Sequence, residues 1–278
     1  MYVSTGSKQV EGWFARTDAE IFRALLVGQS GKKLSGSVVE IGVHHGKSFI
    51  AMCLGLQDEE KAYCVDIFQY QRLNKDLSGK GDRTVFESNL AKFGVSREKV
   101  FIDTRSSQQV QPTDIVNAVG PVRLFSVDGG HWLDIVKTDL RLAESSLSDH
   151  GVIALDDFHR PEWPDVSAGY FAWYASRSRP IVPFAIGFNK LYLCHEHWVD
   201  FYIRLLAEDP FIGRFLMKYH EFQGVWVAVY QQYIRPELSP WHRLFAYLRV
   251  FAPDLYWRLV RFENAADWRE VARLLLKL

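Results

Sequence analysis

Short apolar runs that each stop on an acid or a glycine turn recur along this chain, and they leave few architectures open. Val38 to Ile41 stops at Gly42, Ala62 to Val65 at Asp66, Val100 to Ile102 at Asp103, Val122 to Val127 at Asp128, and Gly151 to Leu155 at Asp156. None alternates polar with apolar residues, as befits parallel strands covered on both faces. Helical stretches lie between and after them: Lys47 to Leu56, Thr84 to Phe93, Asp114 to Ala118, Leu133 to Ser146 and Val166 to Ala175. Repeated βα units predict a mostly parallel sheet with right-handed crossovers. Pro183 to Ile186 and Leu191 to Cys194 read as a hairpin turning over 187–190. In open α/β sheets ligands bind outside the carboxyl ends of the strands, so the closing acids stand where chemistry is expected.

The flanks differ from this core. Trp13 to Val27 has helical periodicity, with Ile21, Phe22, Leu25 and Leu26 on one face. The expected organisation is a helical segment over 1–35, a ligand-binding core over 36–196 and a helical extension over 197–278. In the extension, Trp241 to Phe262 and Ala266 to Leu278 read as amphipathic helices rich in aromatic and basic residues. That composition fits an interfacial membrane helix, or packing against the core or a second copy in a homo-oligomer. Asp254, Glu263, Asp267 and Glu270 weaken attraction to anionic lipid, so protein packing is the expectation. Lysine plus arginine equals aspartate plus glutamate at 33 each, a poor balance for nucleic-acid binding. Cys53, Cys64 and Cys194 are too scattered for a disulfide framework or a thiolate metal site. With no basic-then-apolar leader and no run long enough to span a bilayer, a cytoplasmic protein is expected.

The turn after the first strand reads Glu40-Ile-Gly42-Val-His44-His45-Gly46-Lys47-Ser48. Glycines there allow a sharp turn and close approach of a ligand, and the following helix start favours an anionic group. The Gly-Lys-Ser ending suggests a phosphate loop, but that motif needs four residues between its glycines and here there are three. A tight turn with no ligand is the other reading. Asp66 stands about twenty residues on, where an acid accepts hydrogen bonds from ribose hydroxyls. Asp103, Thr104 and Arg105 close the third strand, as an adenine contact or as an ordinary loop acid that caps its neighbours.

Asp128, His131, Asp156 and Asp157 are delivered together to the ends of strands four and five. Carboxylate oxygens suit a hard divalent cation such as magnesium, and an imidazole titrates near neutral pH, so the group reads as a metal site with a general base. His159, Arg160 and Trp163 either line an acceptor pocket or belong to a surface loop stiffened by Pro161 and Pro164. Gln69 to Arg83 is a lid or a plain connection.

Together these residues resemble the class I S-adenosylmethionine-dependent methyltransferases over about residues 38–194. Glu40, Gly42 and Gly46 look like the first motif of that family, with His44 and Ser48 in the same turn, and Asp66 matches its ribose acid. The resemblance implies a Rossmann-like, doubly wound sheet of seven strands, the first and fourth adjacent at the switch point and the last antiparallel. A narrower resemblance is to metal-dependent sugar O-methyltransferases of antibiotic biosynthesis, which carry Asp-x-x-His after strand four and paired acids after strand five. By that similarity Asp128, Asp156 and Asp157 would hold Mg²⁺ or another hard dication, and His131 would be the base. Asp128 would also border S-adenosyl-L-methionine, and the acceptor would be a sugar or glycosylated metabolite. Two departures stand out: His44 and His45 put bulk in the glycine turn, and the last eighty or so residues match no part of the pattern. Some hydroxylation proteins share this scaffold, and a non-catalytic binding or assembly module is the alternative from another class.

Overall fold

In the computed structural model, residues 2–75 and 78–231 and positions 248, 252 and 255 are described. Strands β1 (Ser37–Ile41), β2 (Ala62–Val65), β3 (Val100–Asp103), β4 (Val122–Val127) and β5 (Leu147–Leu155) pair in parallel. Strands β6 (Ile181–Ile186) and β7 (Leu191–His195) form the expected hairpin, and β7 runs antiparallel beside β5. The order among the described residues is β3-β2-β1-β4-β5-β7-β6-β9-β8.

The sheet therefore has nine strands where seven were expected. The added pair, β8 (Leu216–Phe222) and β9 (Val225–Tyr230), lies where the sequence reading placed helix. Gln223 and Gly224 both have positive φ, 56° and 77°, the backbone that a two-residue hairpin needs. The β-branched and aromatic run Val225-Trp-Val-Ala-Val-Tyr230 is a strand signal that outweighs the aromatic density read as helix. Among the described residues beyond 197, α7 (Val199–Glu208) is an α-helix. The helices expected over 241–262 and 266–278 lie outside the described residues. Compactness divides the chain into Met1–Gln232 and Tyr233–Leu278. Among the described residues no helix is long and apolar enough to cross a membrane.

Strand periodicity sends alternate side chains to opposite faces, and both faces are covered. On one, Val38, Leu124, Val152 and Ala154 meet Ile21, Phe22 and Leu25 of α1 (Arg16–Gly31), Phe49 and Ile50 of α2 (Lys47–Cys53), and Phe86 of α3 (Arg83–Lys92). On the other, Val39, Ile41, Phe125, Ile153 and Leu155 meet three further helices. These are α4 (Pro112–Val119) through Ile115, α5 (Leu133–Ser146) through Val136 and Leu140, and α6 (Pro164–Tyr174) through Tyr170 and Trp173. Each such side chain, fully buried, contributes roughly 1.5–3 kcal/mol. All three cysteines are buried and free.

A buried ion pair closes the far end of the sheet. Arg123 has no exposed surface, and its guanidinium meets Glu60 at 2.7 Å and the carbonyls of Gly55 and Gly36 at 2.8 and 3.0 Å. Gln29 adds its side-chain oxygen at 3.1 Å. A charge this deep is tolerable only because every donor is matched.

β1 lies between β2 and β4, so the chain reverses its direction of winding there. That switch point is where doubly wound sheets place their ligands. Backbone pairing continues past the strands: Gly42 N–H donates to the Val65 carbonyl, Asp128 N–H to Ile41 and Asp156 N–H to Val127. The acids thus sit at fixed registers on one rim.

Candidate active site

The glycine turn is built tightly on its own chain. Gly42 has φ 81°, and a Cβ there would sit 1.8 Å from the Asp128 carbonyl oxygen. Gly46 has φ 89° and caps α2. Gly42 is required by the contact between the β1 and β4 turns, and Gly46 by its left-handed backbone against Phe86, before any ligand is considered. Asp66 accepts the His44 N–H at Oδ2 and the Phe68 N–H at Oδ1, both at 2.7 Å. Burial raises its pKa and these amides act against the rise. The expected ribose acid is therefore also the brace of the turn. Gly81 lies against His44 and the Asp66 carboxylate, so the 78–82 stretch lies over the turn.

Glu40 has no exposed surface, and neither carboxylate oxygen meets a donor at hydrogen-bonding geometry. Burial lifts its pKa to about 7, opposed by Lys190 and by the Ser48 and Ser126 hydroxyls that face it. An orphaned buried acid at the switch point suits a polar ligand group, and the turn in this respect fits an S-adenosylmethionine site. Asp103 is committed elsewhere. It accepts from Tyr63 Oη at 2.6 Å and from Arg105, whose guanidinium also reaches Asp114 at 2.9 Å. Thr104 between them is half-buried.

At the rim of β4 and β5 the structure brings Asp128, His131 and Asp157 together, with one ligand atom of each within 4.8 Å of the others. His131 Nε2 lies 3.1 Å from Asp157 Oδ2, and its Nδ1 faces the Ser78 hydroxyl at 3.5 Å. The ring stacks on Trp163, centroids 4.1 Å apart and planes 12° apart. Asp157 adopts a left-handed backbone, φ 54°. Burial raises the Asp157 pKa, but the bonds from His131 and Asn189 prevail and hold it below the usual carboxylate range. Asp128 is pushed well above that range, first by burial and then by Asp156. A hard cation would relieve that repulsion, so Asp128 and Asp157 fit as ligands.

Asp156, expected as a ligand with these acids, lies beside Asp128 but is engaged by residues of the β6–β7 turn. Its Oδ2 lies 2.8 Å from Lys190 Nζ, while Oδ1 accepts from Asn189 Nδ2 at 2.7 Å and from the Asp157 N–H at 2.9 Å. Asn189 Nδ2 also donates to Asp157 Oδ1 at 2.7 Å. Asn189 and Lys190 were read only as turn residues. They reach the site because β7 returns beside β5 with Leu191 opposite Leu155, so the turn lands against Asp156. Asp18 of α1 anchors that turn, accepting from the Asn189 N–H at 3.0 Å and Tyr192 Oη at 2.8 Å. Burial lifts Asp18 to about 6. Arg160 lies 3.2 Å from Glu162 and 3.9 Å from Asp157, and the His159 ring packs on Phe158.

Residues 39–158 match the family model described as a methyltransferase domain. That segment, under half of the chain, is similar to a methyltransferase domain. It spans β1 to just past β5, hence both the glycine turn and the acid rim. Among solved structures, the O-methyltransferase NovP is similar at 16% identity, covering 65% of this chain and 80% of NovP, with TM-score 0.55. The calicheamicin methyltransferase CalS11 gives 15%, 64%, 78% and 0.48 for the same quantities. An O-methyltransferase from Bacillus cereus in complex with SAH gives 14%, 69%, 87% and 0.47. No curated protein matches the sequence. The likeness to NovP carries the fold of this domain.

Proposed function

We propose that this methyltransferase transfers the methyl group of S-adenosylmethionine to a hydroxyl oxygen of a small molecule, a sugar or glycosylated metabolite, with help from a divalent cation. The observation that carries the reading is the convergence of Asp128, His131 and Asp157 beside the glycine turn at the switch point. The name of NovP as an O-methyltransferase agrees with oxygen as the acceptor atom.

The difficulty in such a transfer lies in the nucleophile, because an alcohol keeps its proton at neutral pH. His131 is held for that task. With Nε2–H directed at Asp157, Nδ1 is the accepting nitrogen and takes the hydroxyl proton, while the Asp157 carboxylate stabilises the imidazolium. Trp163 fixes the plane of the ring. Asp128 and Asp157 would hold the cation, which when bound lowers the pKa of a ligated hydroxyl. Glu40 and the Asp66-braced turn would bind the polar end of the methyl donor.

The test is transfer of labelled methyl from S-adenosylmethionine to a panel of nucleotide sugars and glycosides, with Mg²⁺ and with EDTA. Cation-dependent O-methylation of a glycosyl acceptor supports the reading. Transfer that EDTA leaves intact removes the cation, and transfer to nitrogen or carbon removes the O-methyl assignment.

A further inference from the structure

We infer that Lys190 is the resident cation of the acid rim: it keeps Asp156 out of the metal-ligand set and confines a divalent ion to Asp128 and Asp157, beside His131. This rests on the cation-assisted reading above and refines it.

Lys190 is only 3% exposed, and its Nζ lies 2.8 Å from Asp156 and 3.6 Å from Asp128. None of these contacts has hydrogen-bonding alignment, so the attraction is chiefly coulombic. The rings of Phe22 and Phe14 lie 5.9 and 6.0 Å from Nζ and shield it from water. Its position is set by the backbone, because Leu191 is in register with Leu155 and the residue before it must meet Asp156. Asp18 and Tyr192 pin the turn from the other side.

Both oxygens of Asp156 are thus engaged by the fold: one is ion-paired with Lys190, the other accepts from Asn189 and the Asp157 amide. A dication placed on Asp156 would meet the ammonium at close range in a medium of low dielectric, where like charges repel strongly. Asp128, Asp157 and His131 present atoms that converge within 4.8 Å of one another, and of these Lys190 comes near Asp128 alone, at 3.6 Å against 2.8 Å to Asp156. Lys190 is a positioning residue in this account, since it acts on where the ion binds and touches no reacting atom.

Mn²⁺ affinity, measured by electron paramagnetic resonance on the full chain without substrate, tests the inference. Lys190→Met should bind Mn²⁺ more tightly than wild type by about tenfold or more, because Asp156 becomes available. The double variant K190M/D156N replaces the ion pair by a neutral pair and guards against misfolding of the single variant. It should keep the wild-type affinity, whereas Asp157→Asn should weaken it by about tenfold or more. An unchanged or weaker affinity in a folded Lys190→Met, or a double variant as impaired as Asp157→Asn, would overturn the role of Lys190 and leave the cation reading standing. No Mn²⁺ binding by wild type or Lys190→Met would remove both.

Discussion

His131 lies face to face with Trp163, rings 4.1 Å apart, while its Nε2 points at Asp157 3.1 Å away. A stacked platform and an orienting carboxylate are what a general base needs to present one nitrogen steadily. His131→Ala should therefore lower kcat by about 10²–10⁴-fold and leave the affinity for S-adenosylhomocysteine and Mn²⁺ unchanged. Steady-state kinetics and titration calorimetry check this. A loss of Mn²⁺ affinity would make His131 a ligand rather than the base.

Asp66 ties the β2 end to the glycine turn through two amides. Asp66→Ala orphans both, at about 1–3 kcal/mol for each buried donor. Urea unfolding should show the lower stability, and S-adenosylhomocysteine should bind more weakly because the proposed donor site uses that carboxylate. Full affinity in a destabilised variant would restrict Asp66 to bracing.

The strand ends and the first glycine turn were legible because parallel strands buried on both faces must be short, apolar and closed by turns. Leu133–Ser146 and Val122–Val127 coincide with the elements read from the sequence for that reason. Lys190 and Asn189 were not legible as site residues, since they lie more than thirty positions after Asp156 and join it only through the antiparallel return of β7. Asp18 left a trace: it stands three and four positions before Ile21 and Phe22, on the apolar face of α1, where a lone acid calls for a buried partner. The β8–β9 hairpin was missed because aromatic density was weighed above the β-branched pattern and the Gln223-Gly224 turn.

Asp139 of α5 is fully buried, and burial lifts its pKa to about 7 against the pull of the Ser107 hydroxyl. Its unfolded value is about 3.9. A raised carboxyl pKa favours the folded state while both states are protonated, below about pH 4, and that advantage is lost as pH rises to about 7. Asp139→Asn should remove this decline and make the protein more stable at pH 8, by up to about 4 kcal/mol. Denaturant midpoints from pH 4 to pH 8 read it; parallel profiles for variant and wild type would contradict it.

Arg123 and Glu60 pair at 2.7 Å with almost no exposure. Arg123→Met leaves the Glu60 carboxylate buried without its partner and should cost about 3–5 kcal/mol. Arg123→Met combined with Glu60→Gln should recover part of that loss in the same urea titration. A single variant as stable as wild type would mean that the pair is solvated.

Calorimetric titration of S-adenosylhomocysteine into the protein, with and without Mg²⁺, bears most directly on the account. One site per chain is expected, weakened in Asp66→Ala and retained in His131→Ala. No heat of binding in a folded protein would contradict the methyl-donor site on which the proposed chemistry depends.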